Sequence, residues 1–500
     1  MKSKVNPREA SPVGGAEEGR STGGGGPVRG GAGGEPGGGT GSDLHLELSE
    51  GPGGRRGALM RALRDAVRTG RLAPGTRLPP YRTLAADLGL ARNTVAEAYA
   101  ELVAEGWLTA RQGSGTRVAD RAEPPNSGRP RRPTTPSRPR RPVHDLVQGT
   151  PDASAFPRTA WLTSARRALT AAPHEAFGPG DPRGRTELRH AVAEYLARSR
   201  GVRADPARIV VCSGFANALR LLGQVIDGTI AVESYGLGFH RSLLTAAGRS
   251  TLTLPIDEHG AQVRELPGSG AVAALLTPAH QFPTGGPLHP ARRAALIDWA
   301  RAEDGVVLED DYDGEFRYDR QPVGAVQGLD PERVVYIGSI SKSLSPALRL
   351  GWMVLPGHLV DAVLELKGER ESWASALEQL TLADFLASGS YDRHVRRMRR
   401  TYRRRRDRLV AALAERAPHV QVTGIAAGLH AVLGLPPGTE RSVVQAAAWQ
   451  GLAVEGLGLY RHGEATGVPG DGLVVGYGTP PEHAFAGALN ALCEALPPPP

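Results

Sequence analysis

The chain has 500 residues, of which 65 are glycine, 41 are proline and only two are cysteine, and its net charge is +8. Two cysteines exclude a disulfide framework and a cysteine-rich metal site. The sequence contains no apolar run of about 18 residues, so no membrane helix is predicted. Because about 150 residues is a usual domain size, we expect several domains. The low cysteine count and the lack of a long apolar run predict a soluble, cytoplasmic protein with no membrane attachment.

The first 43 residues are predicted to form a disordered, glycine-rich leader. Glycine runs such as residues 23–26 leave too few apolar side chains to bury a core. The segment also lacks the continuous apolar stretch of a secretory signal. We therefore expect the first folded domain to begin near residue 44.

Residues 44–119 have the pattern of a helix-turn-helix followed by a β-hairpin. Apolar residues at helical spacing predict a first helix over residues 56–67, and a second helix is predicted over residues 81–88. A glycine turn then leads into a third helix over residues 92–105. Two short strands joined by residues 112–115 complete the predicted α+β fold.

This domain resembles the winged helix-turn-helix domain of GntR-type regulators. The resemblance lies in Gly-Arg-Leu-Ala-Pro-Gly-Thr-Arg-Leu-Pro at 70–79, Arg-Asn-Thr-Val at 92–95, Glu-Gly-Trp-Leu at 105–108 and Gly-Ser-Gly-Thr at 113–116. It implies that the third helix enters the major groove of double-stranded operator DNA. The residues that it places at the DNA are Arg82, Arg92, Asn93, Thr94, Gly113, Ser114, Gly115 and Thr116.

The basic charge is concentrated in the amino-terminal third of the chain, which favours a nucleic-acid partner. Residues 44–118 carry a net charge of +4 and residues 119–142 carry +5, so the rest of the chain is close to neutral. Residues 120–143 alternate arginine and proline and are predicted to form an extended linker. For Asn93 and Thr94, helix capping is the alternative to DNA contact.

Residues 144–497 alternate strand-like apolar runs with helical segments, which predicts an α/β domain built on a mainly parallel sheet. The predicted strands are residues 208–212, 229–232, 272–276, 306–308, 334–337 and 352–355. Polar motifs follow several of these runs, at the strand ends where ligands bind in open α/β sheets.

Lys342 is one of only four lysines in a chain with 56 arginines. Arginine can replace lysine as a surface cation, but it does not lose its proton and therefore cannot form a Schiff base with an aldehyde. Because Lys342 follows a predicted strand, a Schiff-base lysine is the natural hypothesis. A lysine that survives by chance in a loop is the alternative.

Four motifs together resemble the fold-type I aminotransferases. They are the glycine turn at 212–219, the segment at 276–285, the acidic segment at 308–316 and the stretch from Lys342 to Arg349. Joined to a GntR-like domain, they resemble the MocR family of regulators. The resemblance implies a homodimer that binds pyridoxal 5'-phosphate, with a large domain at about 170–385 and a small domain from 144–170 and 386–497.

The resemblance also implies a role for each site residue. Lys342 is the lysine that binds the cofactor, Asp310 faces the pyridine nitrogen and Tyr312 reaches the ring hydroxyl from the same strand face. Strand alternation alone leaves the pair Glu309 and Asp311 as the alternative to Asp310. The remaining cofactor-binding residues are Gly214, Phe215, Ala216, Ser339, Ser341, Arg349 and His280.

Three positions depart from the aminotransferase pattern, and one of them is Phe282, which replaces the asparagine of an Asn-Pro-Thr-Gly turn. Leu237 stands where a tyrosine usually stacks on the cofactor, which leaves Tyr235 or Phe239 as possible replacements. Val474 stands where aminotransferases commonly have an arginine that binds the substrate carboxylate. The ten arginines between residues 393 and 408 are interpreted as a solvated helix face rather than as a DNA-binding surface.

The leading hypothesis is a transcription regulator that senses pyridoxal phosphate, or its Schiff base with an amine or amino-acid effector, and transmits that state to the DNA-binding domain. A working aminotransferase with a residual DNA-binding domain is the first alternative. A repressor whose large domain only dimerises is the second.

Overall fold

The computed structural model describes residues 44, 46–48, 52–111, 115–119, 142–318, 323–368, 374–463 and 470–498. The predicted leader, the wing residues Gly113 and Ser114, and the linker up to residue 141 lie outside these ranges. The chain divides into two compact units, Met1–Ser137 and Arg138–Pro500, which we call the head unit and the main unit. None of the helices within the described ranges is long and apolar enough to cross a membrane.

The described residues of the head unit form three helices and one β-hairpin. Its elements are α1 Gly54–Arg68, α2 Tyr81–Asp87, α3 Arg92–Ala104, β1 Leu108–Arg111 and β2 Gly115–Val118. The two strands pair antiparallel, with Leu108 opposite Val118. Each predicted helix is present and starts or ends within two residues of its expected bounds, so the winged-helix prediction is confirmed.

An apolar core holds the head unit together. Leu59 and Leu63 of α1 pack with Val95 and Leu102 of α3, and all four side chains are almost fully buried. At the surface, Arg64 of α1 and Glu105 after α3 form an ion pair with N to O distances down to 2.5 Å. The recognition helix α3 is therefore fixed by burial of its apolar face, which leaves its first turn free for other contacts.

The main unit is an α/β fold. Up to residue 311 its elements are β3 His144–Asp145, α4 Arg158–Ala171, α5 Thr186–Arg200, β4 Ile209–Cys212, α6 Phe215–Val225, β5 Thr229–Glu233, α7 Gly238–Ala246, β6 Thr251–Leu254, β7 Ile256–Asp257, β8 Gly260–Ala261, β9 Ala271–Leu276, α8 Pro290–Ala302 and β10 Val306–Asp311. The later elements are β11 Val334–Ser339, β12 Gly351–Val354, α9 Gly357–Lys367, α10 Ala376–Ala387, α11 Ser390–Arg416, β13 Gln421–Thr423, β14 Ala431–Gly434, α12 Glu440–Trp449, β15 Leu452–Ala453, β16 Glu455–Gly456, β17 Gly472–Val475 and α13 Glu482–Ala495.

Seven strands form the central sheet, in the order β4-β12-β11-β10-β9-β5-β6. Strand β12 runs antiparallel to both of its neighbours, and the other neighbouring pairs are parallel. The prediction of a mainly parallel sheet is thus confirmed, and all six predicted strands are present. Edge strand β6, with the sequence Thr-Leu-Thr-Leu and mostly half-buried, was not predicted.

The second half of the main unit carries a smaller antiparallel sheet, β13-β14-β17-β16. Helices α11 and α13 pack against this sheet through one apolar cluster that includes Tyr402, Leu409 and Phe485. Eight of the ten arginines between residues 393 and 408 are exposed, as the solvated-face interpretation expects. Arg405 is the buried exception, since it is 1% exposed and contacts Asp152 at 2.9 Å.

Candidate functional site

A cavity of about 260 Å³ lies where several strands of the central sheet end. Strands β5, β9, β10 and β11 and the helices α6 and α7 supply its walls. Most of the cofactor-binding residues predicted from the sequence line it: Lys342, Asp310, Tyr312, Phe215, Ala216, Ser339, Ser341 and Arg349. Gly214 lies directly before Phe215 in the turn that leads into α6.

The turn between β4 and α6 has the features of an anion cradle. Gly214 has a φ angle of 99°, which side chains disfavour, and a Cβ on Gly351 would lie 2.9 Å from the Gly214 Cα. The Arg349 guanidinium lies close to Gly214, 3.8 Å from the position that a Cβ there would take. Because the first amides of a helix have no partner within the helix, Phe215 and Ala216 can donate to a phosphate here.

The three consecutive acids at the end of β10 have different partners. The Glu309 carboxylate accepts from the backbone amides of Val326 and Gln327, at 2.8 and 2.9 Å. Asp311 accepts two hydrogen bonds from the Arg200 guanidinium, at 2.6 and 3.0 Å. Asp310 lies between them in sequence and points to the cavity. The alternation of the strand therefore places Asp310, and not the Glu309 and Asp311 pair, at the cavity.

The Asp310 carboxyl has no hydrogen-bond partner among the residues that the structure describes. Burial, and then the neighbouring Asp311 charge, raise its pKa well above the ordinary aspartate value, while Lys342 acts in the opposite direction. A cationic N–H group in the cavity would both satisfy this carboxyl and favour its ionised form.

Lys342 follows β11 in a short turn and reaches back across the cavity. Its Nζ donates to the backbone oxygen of Gly149 at 2.5 Å. Burial lowers the pKa of Lys342, although Asp310 and Asp313 raise it in part. The lowered pKa increases the fraction of neutral amine, which is the form that attacks an aldehyde.

Tyr312 and His280 are arranged differently from the expectation. Strand β10 ends at Asp311, so Tyr312 is not on a shared strand face with Asp310, although its ring still lines the cavity. His280 does not line the cavity but lies behind Tyr312. Its Nδ1 is 2.9 Å from the Tyr312 hydroxyl and 2.9 Å from the Asp313 carboxylate. His280 thus contacts a cavity residue rather than the cavity, and the end of β10 before Tyr312 explains the position of Tyr312.

Of the three residues that the sequence offered for the wall facing a cofactor ring, two line the cavity. Leu237 and Tyr235 both line the cavity, whereas Phe239 is 58% exposed and does not. Phe215 and His240 form a ring pair in the wall, with centroids 4.5 Å apart. Burial lowers the pKa of His240 to about 4, so this ring is neutral near pH 7. His240 was missed because a histidine within an amphipathic helix carries no local signal.

Glu233 is a second buried carboxyl in the cavity wall that the sequence did not indicate. It accepts from the Thr277 hydroxyl at 2.6 Å. Burial raises its pKa to about 7, so its charge changes near neutral pH.

Val474 is fully buried in strand β17 and belongs to the same apolar cluster as Tyr235, Phe282 and Tyr460. Beside this cluster, Gln148 donates to the Tyr460 hydroxyl at 3.1 Å. The Tyr460 hydroxyl in turn donates to the carboxylate of Glu455. The region around Val474 is therefore apolar, with an acid behind it, and does not suit a carboxylate.

In the head unit, the first turn of α3 presents the predicted DNA-binding residues to solvent. Arg92 and Asn93 are exposed, Thr94 is half-buried, and Arg82 is exposed on α2. The residue that precedes α3 is Ala91, whose side chain cannot cap the helix, and neither Asn93 nor Thr94 occupies the cap position.

Only part of the predicted wing tip can be located. Gly115 and Thr116 begin strand β2, whereas Gly113 and Ser114 are outside the described ranges. The Arg77 guanidinium, which the sequence did not single out, lies 3.3 Å from where a Cβ on Gly115 would be. The Arg77 cation thus lies beside the wing.

Two protein families match this chain. Residues 56–118 match the bacterial regulatory proteins of the gntR family, and residues 143–474 match aminotransferase class I and II. The two matches correspond to the head unit and to most of the main unit.

Among curated proteins, the chain is similar to the HTH-type pyridoxine biosynthesis transcriptional regulator PdxR of Corynebacterium glutamicum. The identity is 33%, over 88% of this chain and 95% of that protein. It is also 34% identical to the probable rhizopine catabolism regulatory protein MocR of Rhizobium meliloti, over 88% of this chain and 93% of that protein.

Among solved structures, the chain is similar to LysN, an α-aminoadipate aminotransferase of Thermus thermophilus complexed with N-(5'-phosphopyridoxyl)-L-leucine. The TM-score is 0.63 at 25% identity, over 70% of this chain and 91% of that one. An archaeal alanine:glyoxylate aminotransferase gives a TM-score of 0.63 at 24% identity, over 71% and 90% of the two chains.

Proposed function

The chain belongs to the HTH-type transcriptional regulators of the MocR type, which join a GntR head to an aminotransferase class I and II domain, and we propose that it senses pyridoxal phosphate in the main-unit cavity. As a DNA-binding regulator it responds through the head unit. The observation that carries the proposal is the convergence of Lys342, Asp310 and the Gly214–Arg349 cradle on one cavity.

The residues of the cavity fit this cofactor at three separate places. The α6 amides, Ser339, Ser341 and Arg349 suit its phosphate. The unpartnered Asp310 carboxyl suits the protonated ring nitrogen. Lys342 presents an amine with a lowered pKa. When bound, pyridoxal phosphate supplies an aldehyde that condenses with primary amines and a ring that withdraws electrons.

The residues around the cavity control the position of the Lys342 amine. Lys342 Nζ has to leave the Gly149 oxygen before it can attack, so cofactor binding and the position of residue 149 are coupled. Tyr312 lines the cavity, and His280, which contacts both the Tyr312 hydroxyl and the Asp313 carboxylate, supports it. We propose that an amine or amino acid displaces Lys342 and that the protein reports this exchange to DNA.

The proposed oligomeric state and cellular location follow from the DNA-binding role. We propose a homodimer, whose two heads would bind paired half-sites on the operator. Because it acts on DNA, we place it in the cytoplasm with the chromosome. The regulator PdxR of C. glutamicum controls pyridoxine biosynthesis by name, which makes the cofactor itself one candidate signal.

The rival function is turnover transamination. The apolar surroundings of Val474 favour the regulator, because aminotransferases commonly bind the substrate carboxylate through an arginine at that position. Rapid and complete change of the cofactor spectrum on addition of an amino acid, with release of the keto acid, would instead support the enzyme.

Absorbance of the full chain mixed with pyridoxal phosphate tests the proposal. We expect a visible band that persists through gel filtration and becomes fixed to Lys342 by borohydride, as located by peptide mass spectrometry. Lys342→Ala should lose the band. Lys367→Met is the matched control, because Lys367 is also buried but donates to the backbone oxygen of Val211 at 2.8 Å, away from the cavity. An unchanged band in Lys342→Ala would overturn the proposal.

A further inference from the structure

The cavity contains a guanidinium for which the proposed cofactor has no evident use. Arg241, on the first turns of α7, lines the cavity together with Gly236 and Leu237. Its contact with the Gly236 oxygen is long, at 3.5 Å. Among the described residues, Arg241 has no carboxylate partner.

Two arginines buried in the main unit do have such partners, whereas the buried Arg293 donates to the backbone oxygens of Leu288, Gly324 and Pro278. Arg200 is paired with Asp311, and Arg405 with Asp152 and Glu482. Burial lowers the pKa of Arg241, and no neighbouring acid offsets it. A partly desolvated guanidinium without a counterion is a binding group for an anion that comes from outside the chain.

The position of Arg241 differs from that of the phosphate cradle. The Arg349 guanidinium lies beside Gly214, before α6, whereas one Arg241 nitrogen lies 3.5 Å from where a Cβ on Gly238 would be, at the start of α7. The two cations therefore belong to different turns. The turn before α6 can hold the phosphate, which leaves the turn at the start of α7 for another anionic group.

Among the described residues that line the cavity, the arginines are Arg349 and Arg241. Val474 belongs to the same apolar cluster as Tyr235, Phe282 and Tyr460, and Glu455 is its partner on the neighbouring strand. A ligand carboxylate would be unfavourable there. The cavity volume of about 260 Å³ is below the usual range for ligand pockets, so an effector that joins the cofactor has to be small.

We propose that Arg241 binds the carboxylate of a small amino-acid effector and thereby makes the site select amino acids over plain amines. The inference rests on the proposed function, because the effector amine is taken to react at the cofactor. It adds the chemical class of the effector and the residue that recognises it.

The test uses the full chain loaded with pyridoxal phosphate. Spectral titrations compare glycine with ethylamine and 3-aminopropanoate with propylamine, pairs that differ by a carboxylate in place of a methyl group. Wild type should bind at least one amino acid about tenfold or more tightly than its paired amine, as expected for a hydrogen bond between charged groups. Arg241→Gln should remove this preference while its affinity for pyridoxal phosphate stays within about twofold of wild type, because the phosphate has its own cradle.

Arg220→Gln is the matched control, since Arg220 is exposed on α6 and its removal changes the net charge equally. It should keep the preference for the amino acid. Equal preference in wild type and Arg241→Gln overturns the inference, and so does a wild type that prefers the amines. A large loss of cofactor affinity in Arg241→Gln would assign Arg241 to the cofactor phosphate instead. Failure of wild type to take up pyridoxal phosphate overturns the proposed function itself, and with it this inference.

Discussion

The two units of the chain bury different kinds of side chain. Among the described residues of the head unit, the buried side chains are apolar apart from the Tyr99 hydroxyl, which donates to the Pro79 oxygen at 3.0 Å. In the ranges that the structure describes, the main unit buries 22 polar or charged residues, including Arg200, Glu309 and Arg405. The head unit carries its charges at the surface, where DNA phosphates can reach them. The main unit also has exposed charges, but it buries others in its interior, and Glu233 and Asp310 among these line the cavity.

This difference has an energetic consequence. An apolar core tolerates changes of pH and loses stability mainly through lost packing. A buried charge is stable only while its partner is present, since an unpaired charge in the interior costs several kcal/mol. The main unit should therefore be the one whose stability depends on specific polar partners and on protonation.

The largest expected effect is on a buried ion pair of the main unit. Arg405→Ala leaves Asp152 without its cation and removes the bond to the Pro480 oxygen at 2.8 Å. We expect a loss of about 3–5 kcal/mol in the free energy of unfolding of this unit. The exposed neighbour Arg404→Ala should change it by less than about 0.5 kcal/mol. Urea unfolding measures both, and similar small effects for the two variants would remove the contrast between the units.

The second effect is on the head unit and concerns binding rather than stability. Arg92→Gln removes an exposed cation from the first turn of α3, so operator binding should weaken by about 1–3 kcal/mol. The cofactor absorbance should stay as in wild type, because Arg92 is in the other unit. Arg56→Gln is the control, because Arg56 is engaged with Glu97 and Glu101 on the head surface. Fluorescence anisotropy with labelled operator measures the affinities, and equal losses in both variants would contradict a specific role for Arg92.

The smallest effect is on the pH dependence of stability. Burial lowers the pKa of His394 from 6.5 to about 4. Between these values the unfolded chain binds a proton that the folded chain does not, so the main unit loses stability as the pH falls. His394→Asn, whose amide can still donate to the Ser343 oxygen, should make this loss shallower by roughly 1 kcal/mol per pH unit.

Hydrogen exchange at pH 7, 6 and 5, followed by mass spectrometry, resolves the two units in one experiment. Peptides of the head unit should show the same difference between pH values in wild type and in His394→Asn. A variant whose main unit keeps the full acid sensitivity of wild type would show that His394 does not contribute to it.

The sequence predicted the strands and helices well where the local pattern is strong. Alternation along β10 set Asp310 on one face against Glu309 and Asp311 on the other, because successive strand residues point to opposite faces. The family resemblance, and not the alternation, favoured Asp310 as the residue at the cofactor. The alternation rule gave a wrong expectation for Tyr312, because β10 ends at Asp311 and Tyr312 lies in a bend.

Features that depend on distant parts of the chain were not predictable. The pairing of Arg200 with Asp311, the position of Arg77 beside the wing and the removal of His280 from the cavity wall all join segments that no local pattern connects. Arg405 likewise looks like its exposed neighbours in sequence, and only the packing of α11 against the smaller sheet distinguishes it.

The most direct test of the account is the affinity of the full chain for its operator with and without pyridoxal phosphate. The DNA is a fragment that the cofactor-free protein selects from a randomised library, and the salt concentration is held constant. We expect a change of about fivefold or more for wild type, in the range of ordinary allosteric coupling, and no change for Lys342→Ala. Identical operator affinities for wild type with and without the cofactor would contradict the account.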